Sequence, residues 1–432
     1  MRTVITYGTF DLFHQGHYNI LKRAKEEGDY LIVGVTGETY DMERGKLSVQ
    51  DSLATRIENV QNTGFADKII VEEYLGQKIS DILKYHVDVL VIGSDWKGKF
   101  DHLRKYCEVK YLERTKNISS TQIREEKLNI YKCGIATTEL YDHDIFYETH
   151  TVSSIHLQSV FSPDEKNAKE FAKKYELESG YSDYDKFLDD IDIVIVKMPR
   201  DVRYEYVKKA LEKGKHVVTD MPATMDSKKQ QELHALAEEK GVLLYANIVT
   251  LYQQAFGQLL WMARGNLIGD IINVKCSVSQ NAFDENSKVD LIDLAYYPVC
   301  VITKILGFDS ENVISKIVKD ENGNDVFASI SFAFDNATAN VEIGTGVELD
   351  GTMTITGSEG EIYVPEDWWR MGYFKYRNKG ELRAKHYSSN FDGNGYRYLI
   401  QAVVNDIKQN NTKSERITNE EAEAILKVLK EI

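Results

Sequence analysis

Two histidines stand three residues apart in GTFDLFHQGH, residues 8–17, with Gly8 and Asp11 before them and Gly16 between them. Residues three apart share one face of a helix, so His14 and His17 at a strand-to-helix turn can point at one anion. A helix start adds unpaired N–H groups and a dipole worth about 0.3–1 kcal/mol. Gly8 and Gly16 let backbone approach a phosphate with no Cβ in the way. Far along the chain Arg114 opens a loop ending in Ser119, Ser120 and Thr121, with Ser119 and Gln122 spaced as a capping box. That supplies a second helix start with a cation beside it. Two such ends, one arginine and two imidazoles suit a triphosphate, whose charge must be neutralised before a nucleophile attacks its α-phosphorus. Lys46, in the MERGKLS loop, is a cation placed to cover the phosphates, or else a solvated loop lysine. The plain alternative for the whole stretch is a surface turn with two incidental histidines, and the agreement of distant segments argues against it.

The totals narrow the partners. A chain of 432 residues exceeds one ordinary core and predicts about two to four domains. Its net charge of -15 repels nucleic acid and acidic membrane surfaces, so an anionic ligand must be captured by a local cluster of positive groups. No apolar run approaches the roughly 18 residues of a membrane span, and the N-terminus runs into a strand pattern without a charged leader. Cys107, Cys133, Cys276 and Cys300 are far apart and form no CxxC pair, which fits buried thiols in a reducing compartment. The expectation is a cytoplasmic protein of small-molecule chemistry that binds neither nucleic acid nor membrane.

The elements that must hold these groups alternate. RTVITY (2–7) reads as a strand, followed by a helical pattern over 17–27, then the strands YLIVGV, YHVDVLVIG (85–93) and CEVKYLE (107–113), with helices near 51–63 and 76–85. Such alternation predicts a parallel sheet with ligands at the carboxyl ends of its strands. GTFDLFHQGH, GSDWKGKFD and ERTKNISSTQ each follow a strand directly and should meet at one edge. A second α/β series restarts with NIYKCGIA (129–136) and continues through SIHLQSVFSPD, IDIVIVKMP, KHVVTDMP and GVLLYANIV. From about 249 longer β-runs take over (271–281, 326–334, 338–346, 352–356 and 361–364), closed by helices near 394–409 and 418–431, a pattern of an antiparallel-rich sheet. The expected organisation is a Rossmann-like domain over 1–128, a second Rossmann-type domain over 129–248 and an α+β domain over 249–432.

GTFDLFHQGH with its HxGH, GSDWKGKFD and RTKNISST together resemble the cytidylyltransferase family, most closely the glycerol-3-phosphate cytidylyltransferases, over residues 1–128. The resemblance implies formation of a CDP-alcohol and pyrophosphate from CTP and a phosphorylated alcohol, with Mg²⁺. It implies that His14 and His17 stabilise charge at the α-phosphate, that Thr9, Phe10 and Asp11 line the nucleotide site, and that Gly93, Asp95 and Trp96 lie near the cytidine. Arg114, Thr115 and Ser119 would hold phosphates. The acceptor side departs from the family: TGFADK puts Gly64 where glycerol-phosphate members tend to have an arginine, and Asn117 replaces the glycine of RTxGIS. The acceptor is therefore expected to be a polyol phosphate, glycerol phosphate or a longer alditol phosphate.

Residues 129–432 resemble the glucose-fructose oxidoreductase and inositol dehydrogenase (Gfo/Idh/MocA) family through the order of YSDYDKFLDD, IDIVIVKMP, ALEKGKHVVTDMP, KGVLLYAN, DLIDLAYYPVCVITKILG and ITGSEGEIYVP. That family pairs a Rossmann NAD(P) domain with a substrate-carrying sheet domain. The resemblance places the cofactor near Gly134, Ala136, Thr137, Ser162, Lys197, Pro199, Asp220 and Pro222. A dinucleotide turn normally carries several glycines, and GIATTELYD offers only Gly134. The acidic residue expected after the second strand to hold a ribose hydroxyl is missing, for VFSPD places Phe161 and Ser162 there; Ser162 would tolerate a 2′-phosphate, which slightly favours NADPH over NADH if either binds. Methionine replaces the lysine of the family's EKP in DMP (220–222), with Lys197 a possible substitute. DLAYYP keeps Asp293 and Tyr297 four apart, like the DxGxY that some members use for proton donation to a carbonyl; the alternative is that Tyr297 merely packs. Arg200 and Arg203 either bind a substrate phosphate or start a solvated helix, and Trp368 and Trp369 read as core.

Three functions compete. The leading one is a bifunctional enzyme whose C-terminal unit reduces a keto or aldehyde sugar phosphate and whose N-terminal unit couples the resulting polyol phosphate to CTP for a cell-surface polysaccharide. The second keeps the cytidylyltransferase and makes the rest a silent scaffold or sensor. The third is a nucleotide-binding regulator with an inert HxGH. A homo-oligomer is expected, as in relatives of both units.

Overall fold

The computed structural model describes residues 2–43, 49–113, 130–138, 143–152, 154–279, 291–389, 393–414 and 416–432. It divides into two compact units, one of Met1–Ile130 with Val152–Ser154 and one of Tyr131–Thr151 with Ile155–Ile432. Among the described residues no helix is long and apolar enough to cross a membrane.

The first unit is built on β1 (Thr3–Gly8), β2 (Tyr30–Thr36), β3 (Lys68–Glu72), β4 (Val89–Gly93) and β5 (Glu108–Leu112). All neighbours pair in parallel, in the order β3-β2-β1-β4-β5. The period-2 alternation of apolar strands feeds two separate cores. Val4, Val33, Val89 and Val91 face a layer with Leu21 of α1 (Gln15–Lys25) and Val60 of α3 (Leu53–Asn62). Ile5, Ile32 and Leu90 face Ile82 of α4 (Gln77–Lys84) and Leu103. A short helix α2 (Glu38–Glu43) follows β2. The strand order reverses between β1 and β4, so the turns after Gly8 and Gly93 flank a topological switch point, where open α/β sheets take ligands. The strand β3 goes beyond the expected set; KIIVE is short, partly exposed and carries charges at both ends, so its pattern is weak.

The second unit contains two sheets. Six parallel strands run in the order β11-β10-β9-β6-β7-β8: β6 (Tyr131–Thr137), β7 (Ile155–Phe161), β8 (Ser179–Tyr181), β9 (Ile193–Lys197), β10 (His216–Thr219) and β11 (Leu244–Ala246). Eight more, β12 (Ile271–Ser279), β13 (Asn312–Lys319), β14 (Asp325–Ala333), β15 (Thr338–Gly344), β16 (Met353–Gly357), β17 (Gly360–Val364), β18 (Tyr373–Asn378) and β19 (Lys385–Ser388), form the sheet β13-β14-β15-β12-β16-β17-β18-β19. Only β12 and β15 pair in parallel there. One hydrophobic cluster runs through both sheets from Ala136 to Leu429, with the helix Leu291–Leu306 and the tryptophans Trp368 and Trp369 inside it. Trp368 donates its Nε1 hydrogen to the Ser277 carbonyl at 2.7 Å, so the tryptophans are core.

Three imidazoles of this unit sit where the neutral form is favoured. His216 opens β10, and its Nδ1 accepts the N–H of Leu243 at 3.1 Å. Burial holds His216 below the ordinary histidine range, with Asp192 pulling the other way, and burial likewise lowers His150 and His234. Unfolding frees all three to bind protons. The unfolded chain therefore takes up more protons below about pH 6.5, and stability falls as the pH drops through that value. Calorimetry should show the C-terminal unit's thermal midpoint declining between pH 7 and 5.5, and less steeply in His216→Asn, whose Oδ1 can accept the same N–H. Identical slopes in the two proteins would contradict this.

Candidate active sites

In the first unit the HxGH turn is built from the helix start. His14 is the N-cap of α1 in extended conformation, and its Nδ1 accepts the Gly16 N–H at 2.9 Å. A Cβ on Gly16 would lie 2.7 Å from the His14 ring, so glycine is what lets the imidazole fold over the helix end. One turn on, His17 stacks on His14 with ring centroids 3.9 Å apart and planes 22° apart. Phe10 and Phe13 flank His17, each at 5.5 Å. Two imidazoles thus share one place at a helix N-terminus, beside the switch point.

The loop between Gly8 and His14 is strained and tied down. Phe10 and Leu12 have φ of 55° and 47°, a left-handed conformation that costs about 1–2 kcal/mol per residue. The Asp11 carboxylate accepts the backbone N–H groups of Gln50 and Asp51 at 3.0 and 2.9 Å, and Asp51 in turn accepts from Leu12 N at 2.9 Å. Beneath them lies Arg56 of α3, fully buried. It donates to the carbonyls of Thr9 (3.0 Å), Thr36 (2.7 Å) and Asp51 (3.1 Å) and pairs with Asp41 at 3.2 Å. Thr9 donates its hydroxyl to the same Asp41 at 3.1 Å. Sequence reasoning missed both Arg56 and Asp41; a charged residue on an apolar helix face is the only signal they give.

Across the switch point Gly93 closes β4, and a Cβ there would meet nothing within 4 Å. Asp95 and Trp96 follow in a short 3-10 turn, with Trp96 37% exposed, Lys99 Nζ 5.2 Å above its ring and Phe100 5.9 Å away. On the opposite face of the sheet, Tyr7 donates to Asp81 at 2.9 Å and carries Lys78 Nζ 4.4 Å over its ring, while Lys78 pairs with Glu72. Burial, with Asp81 alongside, pushes the Tyr7 hydroxyl far above its ordinary range. Arg23 of α1 donates to the Glu113 carbonyl at 2.7 Å, which ties the segment just after β5 to α1. Lys46, Arg114, Thr115, Ser119, Ser120 and Thr121 lie outside the described residues.

In the second unit two of the expected cofactor residues stand elsewhere than the sequence suggested. Gly134 and Ala136 are inside β6 rather than in the turn after it, and a Cβ on Gly134 would lie 2.6 Å from the Phe187 ring. The glycine makes room for an aromatic side chain, and Ala136 is core. Thr137 ends β6, and Lys197 ends β9 in register with it. Ser162, just past β7, is buried; its N–H donates to the Tyr181 carbonyl at 3.0 Å, and its Oγ has no hydrogen-bond partner. Pro199 is the N-cap of the helix Arg200–Glu212. Asp220 accepts from Asn247 Nδ2 at 2.7 Å, and the Met221–Pro222 bond is cis. Met221 packs in the core.

Asp293 and Tyr297 lie one turn apart on the helix Leu291–Leu306 and meet different partners. Arg203, 3% exposed, donates from Nη2 to Asp293 at 2.9 Å and from Nη1 to the Pro222 carbonyl at 2.8 Å, and Arg200 lies 3.6 Å from the same carboxylate. Arg203 is therefore a buried bridge and not part of a solvated helix start. Burial pushes the Asp293 carboxyl above its ordinary range, against the pull of both arginines. The Tyr297 hydroxyl donates to the Asn247 carbonyl at 3.2 Å.

These arrangements define a class for each half: a nucleotidyltransferase fold with its histidine pair at the switch point, and a Rossmann-type oxidoreductase with its sheet domain. Residues 5–126 match the cytidylyltransferase-like family, and residues 134–248 match the oxidoreductase family with the NAD-binding Rossmann fold. The glycerol-3-phosphate cytidylyltransferase of Bacillus spizizenii is 48% identical over 130 residues, 30% of this chain and 100% of that protein. That of Staphylococcus aureus is 45% identical over 126 residues, 29% of this chain and 95% of that protein. For the rest of the chain, a dTDP-3,4-didehydro-2,6-dideoxy-alpha-D-glucose 3-reductase of Actinomadura kijaniata is 27% identical over 187 residues, 41% of this chain and 56% of that protein. A crystal structure of a 3-ketoreductase from the same organism, in complex with TDP-benzene and NADP, superposes with a TM-score of 0.62 at 19% identity, covering 70% of this chain and 97% of that one; it shows the shared fold. The chain belongs to the cytidylyltransferase-like family through its N-terminal 130 residues and carries a Gfo/Idh/MocA oxidoreductase domain after them.

Removing one member of a buried ion pair strands the other. Arg56→Met should destabilise the first unit by about 3–5 kcal/mol, and adding Asp41→Asn should restore part of the loss. Urea unfolding of the intact chain measures both; a loss below about 1 kcal/mol, the worth of an exposed pair, would refute the organising role of Arg56.

Proposed function

We propose that the chain makes a CDP-polyol in two steps, reducing a keto or aldehyde sugar phosphate to a polyol phosphate in its C-terminal unit and coupling that product to CTP in its N-terminal unit. The stacked His14–His17 pair at the start of α1 carries the transferase half of the reading. An oxygen of the polyol phosphate attacks the α-phosphorus of MgCTP, the bond to the β-phosphate oxygen breaks, and pyrophosphate leaves. The acceptor supplies the nucleophile, so the protein positions and neutralises. His14 and His17 take the charge growing at the α-phosphate. Lys46, Arg114, Thr115, Ser119, Ser120 and Thr121 hold the phosphates, and Gly93, Asp95 and Trp96 border the cytosine. Gly8, Thr9, Phe10, Asp11 and Gly16 shape the turn, with Arg56 fixing it from below. The 48% identity to a glycerol-3-phosphate cytidylyltransferase supports this chemistry, while the acceptor stays broader than glycerol phosphate because Gly64 replaces a cation.

For the reductase half, the residues present fit a dinucleotide at two points: the orphaned Ser162 hydroxyl beyond β7, suited to a ribose phosphate, and Lys197 at the second switch point. NAD(P)H, when bound, supplies the hydride. Thr137, Pro199, Asp220 and Pro222 border the same strand ends. Asp293, held by two arginines, ties the helix that carries Tyr297 to the segment around Pro222. The burial of Met221 where the family has its lysine favours a second reading, a silent scaffold. The product would feed a cell-surface polysaccharide made from the cytoplasm, by an enzyme that works as a homo-oligomer.

Two assays test the halves separately. Pyrophosphate release from CTP and a panel of glycerol, pentitol and hexitol phosphates should appear in the wild type and fall about 10²–10³-fold or more in His17→Ala. Gly16→Ala should lower kcat by displacing the His14 ring. Release unaffected by His17→Ala would overturn the transferase mechanism. Without CTP, loss of nicotinamide absorbance on adding NADPH and a sugar phosphate supports the reductase, and absence of any such loss across the panel leaves the scaffold.

A further inference from the structure

The carboxyl edge of the six-stranded sheet holds a pair that lies 199 residues apart in sequence. Lys197 ends β9 opposite Thr137 of β6, and strand order reverses between these two strands, with β7 and β8 on one side and β10 and β11 on the other. The crevice at such a reversal is where an open α/β sheet receives its ligand. There Lys197 Nζ donates to the hydroxyl of Tyr396 at 3.5 Å and lies 5.7 Å from its ring centroid. Both side chains are half-buried, open enough to meet a substrate and sheltered enough to keep a geometry.

Tyr396 is held there by buried charge. It opens the helix Tyr396–Lys408, whose first turn is capped by Glu148, only 1% exposed. The Glu148 carboxylate accepts the N–H groups of Gly395 and Arg397, both at 3.2 Å, and of Asn394, and it accepts from Arg397 Nε at 3.4 Å. Moving Tyr396 would uncap a helix and break an ion pair that water does not reach. By contrast, Met221 faces the core and the Tyr297 hydroxyl donates to a backbone carbonyl.

We infer that Tyr396 donates the proton to the substrate carbonyl in the reduction, and that Lys197 is the positioning cation that stabilises the phenolate left behind. The inference rests on the reductase reading above. Reduced nicotinamide, when bound, would supply the hydride: its C4–H bond would break as a C–H bond forms at the carbonyl carbon, the C=O π pair would move to the oxygen, and the nicotinamide would be left oxidised. The carbonyl oxygen takes the Tyr396 hydroxyl proton, so one O–H bond breaks and one forms. The phenolate then regains a proton from Lys197 or water. An ammonium within hydrogen-bond distance favours the phenolate by charge and by donation, which is the pairing a phenolic acid needs at neutral pH.

The test uses the full chain, NADPH, and dihydroxyacetone phosphate with pentulose and hexulose phosphates as probes. Tyr396→Phe should lower kcat for NADPH oxidation about 10²–10⁴-fold, the range for a general acid, with NADPH affinity, read by nicotinamide fluorescence, and the thermal midpoint unchanged. Lys197→Met should lower kcat with little change in KM, and Lys197→Arg should recover part of it. An active wild type whose Tyr396→Phe variant keeps its kcat, or loses NADPH binding or its thermal midpoint, overturns the assignment and spares the reductase reading. A wild type that oxidises NADPH with none of the probes overturns both.

Discussion

A guanidinium with no access to water governs the first site. Taking an arginine out of solvent costs several kcal/mol, which its partners must offset; Arg56 draws through Nη1 and Nε on acceptors from four places, Thr9 after β1, Thr36 at the end of β2, Asp41 in α2 and Asp51 before α3, while its Nη2 is left without a partner among the described residues. Loops that would otherwise move separately become one body. The left-handed Phe10 and Leu12 can then persist, because the loop is anchored by the Arg56 bond to Thr9 and by the Asp51 bond to Leu12. The stacked imidazoles inherit their place from that anchoring.

The second unit uses the same physics in another arrangement. Arg203 joins the helix Arg200–Glu212 to the Pro222 carbonyl and to Asp293, and Glu148 joins another helix start to its own segment of chain. In both units the anchors lie under or beside the carboxyl edge of a parallel sheet at the point where its strand order reverses. The difference lies in the ligand-facing turn. After β1 the glycines and histidines serve the turn itself, whereas the glycine of β6 serves packing against Phe187.

Much of this was legible before any coordinates. Strands with apolar runs, such as VLVIG and IVIVK, and the three strand-end motifs announce the parallel sheets, because burial on both faces leaves continuous hydrophobic runs. The strands β13, β18 and β19 were not, since NVISKIVK and KHYS lie at the two edges of the sheet, YFKYRN lies next to one of them, and all three mix polar and exposed positions into the run. Gly134 stands near where a dinucleotide turn carries its glycines, and only the third dimension reveals the Phe187 ring that fills the space of its missing side chain. Arg56 and Arg203 show in the sequence only as charged residues within helical stretches, and Tyr396 carries no local signal. Their importance comes from partners tens to hundreds of residues away, which spacing along the chain cannot express.

The central claim is that one chain performs a reduction and a cytidylyl transfer on the same carbon skeleton. The most direct measurement is mass spectrometry of the product formed by the intact protein from CTP, NADPH deuterated at the transferable position, and a keto sugar phosphate. The account predicts a CDP-polyol carrying one deuterium on the former carbonyl carbon, with pyrophosphate released in equal amount. A product without deuterium, formed only when a ready-made polyol phosphate is supplied, would contradict it.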